Sequence, residues 1–297
     1  MKKCTFAILG GDARQFSLAE RLLEKGGEVR CYGLPTEKMK KEITVFSDWQ
    51  KTLADTDAVV LALPASPDGV RVHIPFAAGE VSVPRLEEVF SEVPHGVFLA
   101  GGRFSPSARA LAEKYGHTPF DYAKSDTFQE RNALPTAEGA VAILMERISR
   151  TVSGLPVAIT GYGRVAKALA KLLHAMGAKV TVGARKPMVL AEAACEGYGI
   201  MRLNGEKSVL SLCEGQAAIF NTVPHWLFTK EVLRGVGKDT LLIDLASAPG
   251  GIDVDAANGL GIPVIWALSL PGKYAPVTAG EIIADVVLSE MEKEGLL

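Results

Sequence analysis

Short apolar runs alternate with amphipathic segments along this chain. TFAILG (5–10) precedes FSLAERLLEKGG (16–27), which is apolar at helical spacing and stops at Gly26-Gly27, so a strand and then a helix are expected. EVRCYG (28–33), AVVLAL (58–63) and GVFLAG (96–101) read as further strands. Between the last two, PASPDGVRVHIPFAAGEVSVP (64–84) is rich in Pro and Gly and reads as loop with a hairpin. Such alternation predicts an open α/β sheet.

In NALPTAEGAVAILMERIS (132–149) a helix is expected from about residue 135, with Thr136 as N-cap and Gly139 tolerated early. The alternation then restarts. VAIT (157–160), KVTVGAR (179–185), AAIFNTVP (217–224), TLLIDLAS (240–247) and PVIWALSL (263–270) read as strands, with helices at 164–176 and about 187–197. TAGEIIADVVLSEMEKEG (278–295) is again helical in spacing. The expected fold class is α/β: two Rossmann-like, doubly wound domains with an interdomain cleft. Residues 1–131 would form a substrate domain and 132–277 a nucleotide domain with its linking helix. Residues 278–297 would be a C-terminal helix packing back on the first domain.

Composition narrows the function classes. The 297 residues are 48% hydrophobic and 22% charged with a formal charge of −2, and no Lys/Arg block suggests a nucleic-acid or membrane surface. The opening MKKCTFAILGGD is basic then apolar, but its apolar run is short and ends in Gly-Gly-Asp without a small-residue cleavage site, unlike a signal peptide. Cys4, Cys31, Cys195 and Cys213 are scattered, with no metal-ligand spacing. Buried free thiols in a cytoplasmic protein without a metal are expected.

Two strand-to-helix turns carry the candidate chemistry. Gly161-Tyr162-Gly163-Arg164-Val165-Ala166 fits G-x-G-x-x-A directly after a strand. Its glycines permit a tight turn and close approach of a pyrophosphate, which would rest at the helix N-terminus. The second strand ends in Gly183-Ala184-Arg185-Lys186, where an NAD site usually carries Asp or Glu. A carboxylate repels a 2′-phosphate and Arg185 can pair with one, so NADP is the expected cofactor. Turns at Thr222-Val223-Pro224 and Ala246-Ser247 are further candidate cofactor contacts, and neighbouring His225 is a candidate acid or base.

GGDARQ (10–15) lacks small residues at the nucleotide spacing, and Asp12 would repel a diphosphate. Asp12 suits a helix cap. Arg14 and Gln15 would emerge at a strand's carboxyl end, where a guanidinium and an amide suit a small carboxylate ligand. Asp12, Arg14 and Gln15 are therefore the candidate catalytic set, with Arg103 and Arg131 as further candidate carboxylate donors.

These stretches, with PTAEGA (135–140), DLASAPGGID (244–253) and LPGKYAPVTAGEII (270–283), resemble the family of dipicolinate synthase A subunits of spore-forming bacteria over nearly the whole length. The later motifs also resemble alanine dehydrogenase and the D-2-hydroxyacid dehydrogenases. The resemblance implies two Rossmann-like domains and NADP-linked oxidation of dihydrodipicolinate, or of its hydroxylated tetrahydro precursor, to dipicolinate. It also implies as partner the flavoprotein-like B subunit of dipicolinate synthase, and leaves a homo-oligomer open. Competing readings are a related amino-acid or 2-hydroxy-acid dehydrogenase and a non-catalytic NADP-binding subunit.

Overall fold

The computed structural model describes residues 4–77 and 81–297. It divides into two compact units, one formed by the chain up to Asn132 with Ala275–Leu297, the other by Ala133–Tyr274.

In the first unit, β1 (Thr5–Leu9), β2 (Glu28–Tyr32), β3 (Thr44–Phe46), β4 (Ala58–Leu61), β5 (Phe98–Gly101) and β6 (Phe120–Asp121) form one parallel sheet in the order β3-β2-β1-β4-β5-β6. Phe6 on β1 lies between Val29 and Ala58. The strand order reverses between β1 and β4, so the carboxyl end of β1 opens onto the crevice where such sheets take ligands. Alternate residues feed opposite cores, as expected for a sheet covered on both faces. Phe6 and Ile8 pack with Leu18, Leu22, Ile283 and Val287, while Ala7 and Leu9 pack with Leu53, Val59, Phe90 and Leu99.

The helix Pro276–Lys293 lies in the first of these cores. A Cβ on its Gly280 would stand 2.2 Å from Arg14 O and 2.9 Å from Leu18 N, so only glycine lets this helix meet the helix Arg14–Glu24 backbone to backbone.

In the second unit, β7 (Pro156–Thr160), β8 (Lys179–Ala184), β9 (Gly199–Arg202), β10 (Ala218–Asn221), β11 (Leu241–Asp244) and β12 (Val264–Trp266) run parallel in the order β9-β8-β7-β10-β11-β12. This repeats the order of the first sheet. Val157 and Ile159 face one core with Leu169 and Leu173, and Ala158 faces the other with Leu212 and Phe228.

Several local expectations need correction. β3, β6 and β9 were not legible as strands because each is a short edge strand; β9 is largely exposed and shows no apolar alternation. The expected strand 263–270 covers only Val264–Trp266, and a short helix Leu270–Tyr274 follows. Thr136 is not an N-cap: the helix Asp126–Arg147 begins ten residues earlier and runs through Pro135. The proline removes one backbone bond, and apolar contacts on either side, Phe128 in one core and Ala137 and Leu144 in another, hold both halves. The expected hairpin within 64–84 includes 78–80, which lie outside the described residues; beside them stands one antiparallel bridge, Arg71 with Arg85.

Among the described residues no helix is long and apolar enough to cross a membrane, and no cluster of His, Cys, Asp or Glu could hold a metal. All four cysteines are free; Cys195 is exposed, which departs from the expected burial, because it closes a surface helix.

Candidate functional site

β7 turns at Gly161 into the helix Arg164–Ala175. Gly161 has φ +85°, a conformation that favours glycine, and its N–H donates to Gly183 O on β8 at 2.8 Å. A Cβ there would lie 2.6 Å from Thr222 Oγ1, so the turn and the loop after β10 can meet only over a hydrogen. Gly163 is the N-cap and supplies no side chain to the helix amides, while buried Ala166 seats the helix on the sheet. The uncapped helix end is therefore open to an anion. Arg164 is exposed and Val165 half-buried at its first turn. Tyr162 turns inward instead, packing edge-on against Tyr198 at 6.3 Å. Burial, with Tyr198, Glu196 and Glu192 adding to it, pushes its phenol up to about 12.

Beside this turn lies a cavity of about 510 Å³. Gly161, Arg185 and Lys186 line it, with Val189, Leu203 and Trp226 as apolar walls. Both cations are exposed, and among the described residues neither is held in an ion pair. His225 reaches the same cavity, as does Glu206, which accepts a hydrogen bond from Thr229 Oγ1 at 3.3 Å. Apolar walls beside a glycine turn and two cations fit the base and phosphates of a dinucleotide.

The strand ends opposite are fixed by a buried polar network that sequence reasoning did not single out. Thr160 Oγ1 donates to Asn221 Oδ1 at 2.6 Å, and Asn221 Nδ2 donates to Asp244 Oδ1 at 2.8 Å and Val223 O at 3.0 Å. Asp244 also accepts the N–H groups of Ala246, Gly251 and Ile252. Thr222 is tied to Thr160 O through its Oγ1 at 2.7 Å. Thr222, Val223 and Pro224 thus sit at the end of β10, and Ala246 and Ser247 at the end of β11. Of these, only Val223 lines the cavity. The available signal was a polar residue closing each apolar strand: Thr160, Asn221 and Asp244.

The other turn, after β1, is built differently. Gly10 and Gly11 both have positive φ, and Gly11 N–H donates to His73 O at 2.7 Å. Arg14 is buried, not open: its Nε and Nη2 donate to Asp12 Oδ1 and Oδ2 at 2.8 Å each, and Nη2 also donates to Leu63 O. Asp12 Oδ1 accepts the Arg14 N–H at 3.1 Å as well, although Ala13 is the residue at the cap position. Gln15 is buried beside them, and neither Oε1 nor Nε2 has a partner. His73, absent from the sequence reading, is half-buried here. Burial holds its imidazole below the ordinary value, with Asp12 acting upward and Arg14 downward.

The two remaining arginine candidates are not part of this cluster. Arg131 is tied to Asp285 Oδ2 by two bonds of 3.0 Å, so its guanidinium is committed. Arg103 is exposed, with φ +54°, and its N–H donates to Asp121 Oδ1 at 2.8 Å.

Residues 5–123 match the family model for the N-terminal domain of the dipicolinate synthase A subunit. The curated A subunit of dipicolinate synthase from Bacillus subtilis (strain 168) is 28% identical, with 97% of each chain covered. The chain is a relative of the dipicolinate synthase A subunit. The crystal structure of that subunit from Bacillus halodurans superposes with a TM-score of 0.86 at 28% identity, covering 97% of both chains. The dipicolinate synthase A chain from B. subtilis gives 0.85 at 26% identity, covering 99% of this chain and 98% of that one. The transhydrogenase of Sinorhizobium meliloti, at 14% identity and a TM-score of 0.71 over 98% and 93% of the two chains, shares the fold. Residues 138–259 match the NAD-binding domain model of S-adenosyl-L-homocysteine hydrolase. In this dipicolinate synthase relative, the nicotinamide-nucleotide domain is therefore the second unit, with Gly161, and not the unit that carries GGDARQ.

Proposed function

We propose that the chain is the NADP-dependent dehydrogenase subunit of a dipicolinate-forming enzyme, oxidising dihydrodipicolinate or its hydroxylated tetrahydro precursor. The observation that carries the cofactor reading is the joint lining of one cavity by Gly161, Arg185 and Lys186, with no carboxylate at the end of β8. When bound, the nicotinamide accepts a hydride. The uncapped helix at Gly163 would hold the pyrophosphate, Arg185 and Lys186 the 2′-phosphate, and Val189, Leu203 and Trp226 the adenine. Thr222, Val223, Pro224, Ala246 and Ser247 form the strand-end loops that would position the ring, braced from beneath by Asn221 and Asp244. Asp12, Arg14 and Gln15 in the first unit would receive the dicarboxylate. Aromatisation supplies much of the driving force, so positioning is the main task of the protein.

Glu206 favours a second reading, because a carboxylate lining this cavity could accept ribose hydroxyls of NAD. Calorimetric titration with both cofactors decides between them, and tighter NAD binding would remove the NADP reading. The relatives' names support a complex of two different subunits, in which the partner is the flavoprotein-like B subunit and the compartment the cytoplasm. The activity test is reduction of NADP by the purified chain with dihydrodipicolinate, alone and with that partner. Cofactor binding without turnover in either case would leave a non-catalytic NADP-binding subunit.

A further inference from the structure

Gln15 is 1% exposed, and both polar atoms of its carboxamide lack a hydrogen-bond partner. It occupies the first turn of the eleven-residue helix Arg14–Glu24, at the carboxyl end of β1. The amide lies over Gly11, where a Cβ would fall 2.2 Å from its Cδ and 2.3 Å from its Oε1. A carboxamide buried in this way destabilises the folded chain, whereas an apolar side chain of equal size would not. The neighbouring cation offers no relief. Arg14 has turned its Nε and Nη2 to Asp12 and the Leu63 carbonyl.

We propose that the Gln15 carboxamide is the specificity-determining contact of the first unit, and that Arg14 is a positioning residue locked by Asp12. This rests on the substrate site assigned to that unit above. An amide presents a donor and an acceptor side by side. A bare carboxylate satisfies Nε2 but sets an oxygen against Oε1. Both are satisfied only by a carboxylate flanked by an N–H or O–H donor, which closes a two-bond ring of the kind Gln and Asn make with adenine. The ligand class is therefore a ring or chain carboxylate whose neighbouring atom carries a proton, such as a partly reduced pyridine carboxylate with a protonated nitrogen. The aromatic product has a bare ring nitrogen, whose lone pair faces Oε1, and is held less tightly. Because the amide is closed off from water, binding includes the cost of opening a path to it.

The test uses three planar dicarboxylates of one shape and charge. 4-Pyridone-2,6-dicarboxylate carries a ring N–H, benzene-1,3-dicarboxylate a C–H, and dipicolinate a bare nitrogen. Calorimetric titration of the full-length chain should rank the pyridone first, by about tenfold or more over the other two. Gln15→Met should erase that preference, and its ligand-free melting temperature should not fall. Equal or tighter binding of benzene-1,3-dicarboxylate by the unaltered chain overturns the proposal, whether or not the variant folds. A preference that survives Gln15→Met overturns it too. Pyridone preference without turnover of dihydrodipicolinate would defeat the functional reading and leave this one standing, and turnover without the preference would do the reverse.

Discussion

Asp12 and Arg14 form a two-pronged ion pair, with Nε on Oδ1 and Nη2 on Oδ2 at 2.8 Å each, inside the turn that follows β1. The Arg14 side chain is 5% exposed and that of Asp12 28%. The pair thus satisfies itself before any ligand arrives, and holds the first turn of the helix that carries Gln15.

Asp12→Ala should therefore cost more than a lost cap, which is about 1 kcal/mol. It strands a buried guanidinium, and a broken buried pair costs roughly 3–5 kcal/mol, less here because Asp12 is partly solvated. Arg14→Ala should destabilise as well, with NADP affinity nearly unchanged in both variants. Thermal melts and cofactor titration read the two effects separately. A loss near the cap value for Asp12→Ala would mean that the pair is not structural.

Arg185→Asp should weaken NADP and relatively favour NAD. It removes a charge-assisted contact of about 1.5–3 kcal/mol and adds repulsion from a 2′-phosphate. Unchanged preference after the substitution would place the 2′-phosphate elsewhere.

Asp244→Asn keeps the size of a buried side chain but puts an NH₂ where one carboxylate oxygen stood. Oδ2 now accepts Gly251 N–H at 2.8 Å and Ile252 N–H at 3.1 Å, and Oδ1 accepts Asn221 Nδ2 and Ala246 N–H. The amide cannot serve all four donors. A loss of a few kcal/mol is expected, at about 1.5–3 per bond to a charged group, together with weaker cofactor binding. Denaturant unfolding and titration of the same sample check both.

Thiol labelling should separate the cysteines. Burial pushes the Cys31 and Cys213 thiols up to about 12, so both stay protonated and unreactive until the solution is far more alkaline. Exposed Cys195 should label first at about pH 8, and fast labelling of Cys31 in the folded chain would contradict its burial.

Truncation before the helix Pro276–Lys293 should unfold the first unit. The helix buries Ile282, Ile283, Val286, Val287 and Met291. At roughly 1.5–3 kcal/mol each, their burial is comparable to the whole net stability of a domain. A truncated chain with an unchanged melting profile would show that unit to be self-sufficient.

Some of this was readable along the chain. Apolar runs of four to six residues are long enough to mark central strands such as β1, β7 and β10, and G-Y-G-R-V-A marks a turn whose glycines have a local reason. Edge strands are short and partly solvated, so β3, β6 and β9 leave no periodic trace. The Thr136 cap failed for a related reason: Pro135 is a local stop signal, and packing on both sides overrode it.

What the sequence by itself determined is the order of strands and helices, the two glycine turns, and the absence of an acid after β8, because these depend on residues a few positions apart. The tertiary structure decided what each polar group faces. It turned Tyr162 inward, gave Arg131 to Asp285 across 154 positions of chain, closed Arg14 on Asp12 and Leu63, and left the Gln15 amide without a partner. Periodicity is a local property of the backbone, whereas a side chain's partners and its access to water are set by segments that meet only when the sheets assemble.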